Sequence, residues 1–302
     1  MPFPTALSLL LHRALEPRVT RLLQLCRTEA WQEDPETLHQ VGIASRRVRA
    51  VLDLMDAKAS PDLKRPARHL RRLTKALGLT RELDVHVELL EGLMEEASDA
   101  LHRASLEFLL EDLDHTRRKS RKTMFRNLGK GAPRDLPALL SSPALPEPPP
   151  GGALQDAVWA CLEPLLRAVD QLIPSLLDQE EIHGLHQLRI HVKRLRYTLE
   201  ILEPAFPTSL ETTLQNLKSM QATLGEHHDH AMLEAHLREL HGDLTLRQRV
   251  HLASGVLDLI GLLAERRHAC YVRFQVLGQS HRDQVSAFHL KRALEADPGA
   301  AR

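Results

Sequence analysis

Residues 185–202 read LHQLRIHVKRLRYTLEIL, and residues 38–55 read LHQVGIASRRVRAVLDLM. In the first stretch Leu185, Leu188, Val192, Leu195, Leu199 and Leu202 alternate steps of three and four residues. That spacing makes one apolar seam along a long helix. Pro204 and Pro207 close the helix, because proline lacks the amide that a further turn needs. The second stretch repeats the seam less purely through Leu38, Val41, Ser45, Val48, Leu52 and Met55.

The likeness extends along the chain at one offset of 147 positions. Leu15-Glu16-Pro17 recurs as Leu162-Glu163-Pro164, Leu77-Gly78 as Leu224-Gly225, and Arg126 as Arg273. A constant offset without gaps marks a tandem duplication, and two similar units are expected to pack about a pseudo-two-fold axis. Between them, residues 129–152 hold seven of the 18 prolines, a density that no helix tolerates. The division is a first unit over 1–130, a linker over 131–152, a second unit over 153–280 and a C-terminal tail over 281–302. Helical periodicity marks further segments near 5–30, 62–77, 82–126, 155–177, 210–224 and 230–275. The expected fold is therefore all-α: two tandem helical bundles of about four helices each, with a groove between them. Aromatic residues at 3% and the abundance of Leu argue against a β sandwich or barrel.

Charged residues border the seam. His186, Arg189, Lys193 and Arg196 fall within a sector of about 80° next to the apolar face, whereas Arg194 points away from it. His39, Arg46 and Arg49 occupy the equivalent stripe of the first unit, with Gly42 standing where the second has Arg189. A second stripe precedes Leu77-Gly78: Arg68, Arg71 and Lys75 share a face, and in the other unit only Lys218 keeps a charge. No Asp or Glu lies between Leu185 and Leu199. Cations gathered beside a helix–helix groove repel one another unless an anion answers them. That anion is either a structural carboxylate or a phosphate-rich ligand.

At these residues the sequence resembles the CHAD family, the conserved-histidine α-helical domain. The likeness rests on the two quoted stretches and on LGLTRELDV (77–85) and LGEHHDHAM (224–232). It implies a pair of pseudo-symmetric helical bundles with a basic groove that binds inorganic polyphosphate, and for some members association with polyphosphate granules. By this resemblance the binding residues are His39, Arg46, Arg49 and Arg71, with His186, Arg189, Lys193, Arg196 and Lys218. Lys75 joins them on the helical-wheel argument alone. Gly42 and Glu82 depart from the family pattern. Polyphosphate is a flexible rod of repeated anions, so spaced Arg forks and Lys point charges suit it.

The remaining features narrow the function. Net charge is zero, so a polyanion site must come from local segregation of charge. Few aromatic platforms argue against single-stranded nucleic acid as the ligand. Cys26, Cys161 and Cys270 lie far apart, which fits a reducing cytoplasm, and no apolar run is long enough for a membrane helix. No phosphate-binding Gly loop or nucleophile elbow occurs, so neither catalysis nor a cofactor is expected. His227, His228 and His230 are read as surface histidines on a turn rather than as metal ligands. Glu82, Asp84 and Asp229 are read as helix caps or as partners of a stripe arginine. The alternatives are a scaffold that docks acidic segments of a protein partner, and an RNA-associated polyanion binder.

Overall fold

A computed structural model describes residues 5–27, 34–55, 61–128, 153–173 and 180–296; the Pro/Gly-rich linker over 131–152 lies outside them. The described residues are helical and contain no strand. The first unit supplies α1 (Thr5–Arg27), α2 (Pro35–Leu54), α3 (Pro61–Glu96) and α4 (Ala100–Leu128). The second supplies α5 (Ala153–Leu172), α6 (Ile182–Leu202), α7 (Glu211–Leu246) and α8 (Val250–Gln284). A ninth helix, α9 (Ala287–Glu295), follows, so part of the stretch read as a tail is folded. Its buried Leu290 and Leu294 join the core, and it packs on α5.

The starts of the paired helices are written locally. Asp34 caps α2 by accepting the Thr37 amide at 2.8 Å, and Pro35 fills the first turn, where no amide donor is missed. Glu181 caps α6 through the Gly184 amide.

The segments expected to break at Leu77-Gly78 and Leu224-Gly225 do not break. Both α3 and α7 run through the glycine as 36-residue helices, and each unit turns back only at about residues 97–99 and 247–249. Glycine inside a helix costs about 1 kcal/mol relative to alanine, less than long apolar flanks return on burial.

Each helix packs against its own counterpart: α1 on α5, α2 on α6, α3 on α7 and α4 on α8. Self-pairing of all four elements is the signature of a two-fold relation. The apolar core does not follow the division into units. One cluster joins α1, α2, α5 and α6 to the first halves of α3 and α7. A second joins the outer halves of α3 and α7 to α4 and α8. Each bundle is thus built from both units, because α3, α4, α7 and α8 are long enough to reach beyond the first core.

Two features pin the outer bundle. Arg267 is buried and donates to Glu234 at 3.0 Å and to Glu180 at 3.2 Å. Where α8 crosses α4, a β-carbon on Gly255 would sit 2.1 Å from Ser105 Oγ and 3.3 Å from the Leu101 carbonyl oxygen. Gly255 and Ser105 are buried, and the carbonyl belongs to helical backbone. Gly255→Ala gains about 1 kcal/mol of helix propensity but forces the two helices apart, an overpacking cost of about 1–3 kcal/mol. The expected outcome is a net loss of stability, read as a lower urea midpoint. Gly261→Ala, which meets nothing within 4 Å, is expected to raise it.

Candidate functional site

The apolar seams of α2 and α6 face the first core, and this turns the bordering stripes towards each other where the two helices meet. Arg46 and Lys193, which occupy equivalent positions of the two units, line the same cavity. That cavity measures about 590 Å³ and straddles the pseudo-two-fold axis. Equivalent positions enter it from both sides: Glu82 with Asp229, Arg81 with His228, and Val85 with Met232. Of the ten residues singled out in the sequence, His39, Arg46, Arg189, Lys193, Arg196 and Lys218 line it. His186 stands behind the wall, its ring 4.2 Å from that of His228.

A second cavity, of about 640 Å³, shares the wall formed by Arg46, Lys193 and Tyr197. Arg49 lines it, and so does Arg194, whose expected outward direction therefore places it at this second opening rather than in empty solvent. Arg71 and Lys75 line neither cavity. Arg71 reaches Asp53 at 3.8 Å, a carboxylate it shares with Arg49 at 3.7 Å. Lys75 is exposed further back on α3.

Electrostatics separates these cations into two groups. Arg196 is answered: it pairs with Glu200, donates to Gln221 at 2.9 Å and lies over the Tyr197 ring at 4.6 Å. Arg46, Arg189 and Lys193 make no ion pair among the described residues. Burial, together with Arg189, Arg46, Arg49 and Arg194, pushes Lys193 down to about 8. Burial also lowers Arg46, which is held by a hydrogen bond to Tyr197 and opposed by Arg189. Asp229 lies near enough to Arg189 and Arg81 to feel both charges, yet burial raises its pKa. This residue sits in mid-helix, so the capping role read for it does not apply, and it makes no ion pair with a stripe arginine among the described residues. Asp84 likewise sits within α3, buried, and accepts from Arg121 at 3.2 Å.

The histidines follow the same logic. His227, His228 and His230 lie on the continuous α7 rather than on a surface turn, and His227 and His230 are buried. Burial and neighbouring cations hold His39 and His186 below the ordinary imidazole range and push His228 down to about 3. Among the described residues no three His, Cys, Asp or Glu side chains are grouped to hold a metal ion. The described helices include none long and apolar enough to cross a membrane.

Sequence reasoning missed Arg81, Tyr197, Gln221 and His228 as parts of this cavity. Arg81 forms a bidentate pair with Glu88 at 2.8 and 3.1 Å, and no stripe pattern on α2 or α6 reveals it. The clue for Arg81 and His228 was their equivalence under the 147-residue offset, close to the paired Leu-Gly steps.

Fold and cavity together define an all-α protein of duplicated helical units whose paired helices enclose unanswered cations. Residues 13–238 match the family model described as the CHAD domain, and the chain belongs to that family. It is similar in fold to PptA from Streptomyces chartreusis, with a TM-score of 0.67 and 20% identity over 89% of this chain and 98% of that one. The CHAD domain from the plant Ricinus communis gives a TM-score of 0.66 and 24% identity, covering 97% and 95%. In Mycobacterium tuberculosis the uncharacterized proteins MT2285 (strain CDC 1551) and Rv2226 (strain H37Rv) are 26% identical over 241 residues. The match takes in 75% of this chain and 44% of the length of each of those relatives.

Lys193 also has a measurable cost. The folded chain releases its proton near 8 and an unfolded lysine only near 10.5, so between these values the unfolded state binds more protons. Stability from this group therefore climbs as pH rises through that interval. Lys193→Met is expected to stabilise the free protein at pH 7 by on the order of 1–3 kcal/mol after solvent screening. The gain should shrink towards pH 10, as read from urea midpoints at the two pH values.

Proposed function

We propose that this chain binds inorganic polyphosphate, without catalysis, in the cavity between α2, α6, α3 and α7. The observation that carries the reading is the half-buried cluster of Arg46, Arg189 and Lys193 lining one cavity, which no carboxylate pairs with among the described residues and in which burial, together with the neighbouring arginines, depresses Lys193 to about 8. A protein that holds such a cluster against its own repulsion keeps a site for an anion of high charge density. Arg189 and Arg46 supply forked donors to phosphate oxygens, and Lys193 a point charge between them. The two cavities share the Arg46–Lys193–Tyr197 wall, so one flexible polymer can contact both. Membership of the CHAD family supports the same ligand, and association with polyphosphate granules belongs to this proposal. So does a cytoplasmic site of action. Of the cavity carboxylates, Asp229 lies in the field of Arg189 and Arg81, which tempers the local positive charge without pairing with it.

Titration with long-chain polyphosphate at two salt concentrations, with RNA and heparin as competitors, tests the reading. Tight binding that weakens steeply with salt and that RNA does not displace is expected. Arg189→Ala and Lys193→Met should each weaken binding by about 1–3 kcal/mol. Arg196→Ala should cost less, because Glu200 and Gln221 already hold that guanidinium. Equal losses at Arg189, Arg196 and a remote exposed arginine such as Arg249 would sink the cavity and favour a diffuse charged surface. No binding at all would favour the scaffold for acidic protein segments.

The pH dependence has a definite sign. Bound phosphate raises the pKa of Lys193 and His39, so affinity falls as pH rises above about 8 and climbs again on acidification as His39 becomes protonated. Affinity that stays flat from pH 5.5 to 9.5 would show that these two groups do not face the ligand.

A further inference from the structure

The unbroken run of α3 through Gly78 has a consequence for how a polymer leaves the cavity. Gly78 and Glu82 line the cavity, and the same face of the same helix carries Lys75, Arg71, Arg68 and Lys64. On a helical wheel these six positions fall within about 80°. Lys75, Arg68 and Lys64 are exposed and make no ion pair among the described residues. From Gly78 back to Lys64 the stripe extends for about 21 Å at the α-helical rise.

The pseudo-symmetric face of α7 is different. The positions equivalent to Lys64, Arg68, Arg71 and Lys75 are Glu211, Gln215, Lys218 and Ala222. One side of the duplicated site therefore carries four cations in a row, and the other carries one cation and one acid. Arg71 also reaches Asp53, which lines the second cavity, so the stripe borders both openings.

Resting on the polyphosphate reading, we infer that the α3 stripe is a one-sided landing track that continues the cavity and selects for long polymers over short ones. A short phosphate oligomer fills the cavity and stops. A long chain leaves along α3 and gains contacts with Lys75, Arg68 and Lys64 that the α7 side cannot offer. Exposed single contacts of this kind are individually weak, and their sum appears as chain-length discrimination and as a steeper dependence on salt.

The test compares tripolyphosphate with long-chain polyphosphate on three versions of the full chain. The triple variant K64Q/R68Q/K75Q removes the track and leaves Arg71 paired with Asp53. A control variant, R103Q/R247Q/R249Q, removes three exposed cations near the hairpin turns of the outer bundle. All six substitutions are at the surface, where folding is little affected, and unchanged urea midpoints verify this. The track variant is expected to lose about tenfold in affinity for the long polymer and to flatten its salt dependence, with tripolyphosphate and the control within about twofold of wild type. Undiminished long-chain affinity in the track variant, an equal loss in the control, or an equal loss for tripolyphosphate would overturn the track while leaving cavity binding intact. Failure of the wild type to bind either ligand would instead overturn the polyphosphate reading on which the track rests.

Discussion

Mutual repulsion among Arg46, Arg189 and Lys193 at the meeting of α2 and α6 is the constraint around which the fold is organised. Like charges a few ångströms apart repel by several kcal/mol at the effective dielectric of a partly buried site. Left alone, the two helices would separate or the side chains would turn outward. Neither happens, because each helix is held along the adjacent face by leucines and valines that are fully buried, each contributing about 1.5–3 kcal/mol. The apolar seam therefore does more than make a helix. It supplies the stabilisation that lets the bordering stripe stay charged and inward.

Duplication explains how so much charge came to one place, and its imperfections explain the character of the site. A two-fold relation brings each residue near its own counterpart, so a single cation per unit becomes a pair across the axis. Arg46 meets Lys193 in this way, and Glu82 faces the cavity with Asp229. Glycines leave space beside two of these arginines. A β-carbon at Gly42 would lie 3.7 Å from the Arg46 guanidinium, and one at Gly225 would lie 3.7 Å from Arg189 Nε. Each glycine thus leaves an open flank beside an arginine, and glycine at position 42, where the second unit has Arg189, keeps one further cation out of the cluster. The α3 stripe, absent from α7, gives the site a direction that perfect symmetry would forbid.

Two long helix hairpins tie this site to a second core away from it. The Glu234–Arg267–Glu180 network ties α8 to α7 and to the start of α6, and the contact of Gly255 with Ser105 fixes how α8 crosses α4. Because α3 and α7 each pass from the cavity into this outer bundle, the cavity walls are parts of rigid elements anchored at both ends. Preorganisation of that kind reduces the ordering cost of binding a flexible polymer.

How much of this could be read from residues alone depends on the range of the forces involved. Helix periodicity, the proline-rich division and the constant offset are local or linear properties, so the all-α fold, the duplication and the charged stripes at His39, Arg46, Arg49, His186, Arg189, Lys193 and Arg196 were legible. Glycine at 78 and 225 misled, because its intrinsic cost is about 1 kcal/mol and the burial of apolar residues on both sides outweighs it. Which cations remain unanswered was not legible either. Arg196 meets Glu200 and Gln221, Arg71 meets Asp53, and Lys193 meets only other cations, although all three sit in similar stripes. Packing of neighbouring helices within each unit made that distinction, since Arg71 reaches Asp53 on α2 and Arg196 reaches Gln221 on α7, while Glu200 lies one turn from Arg196 on α6 itself. The sequence by itself determined the helices and where their charges lie; the tertiary structure decided which of those charges face one another, because only packing sets the separations on which their energies depend.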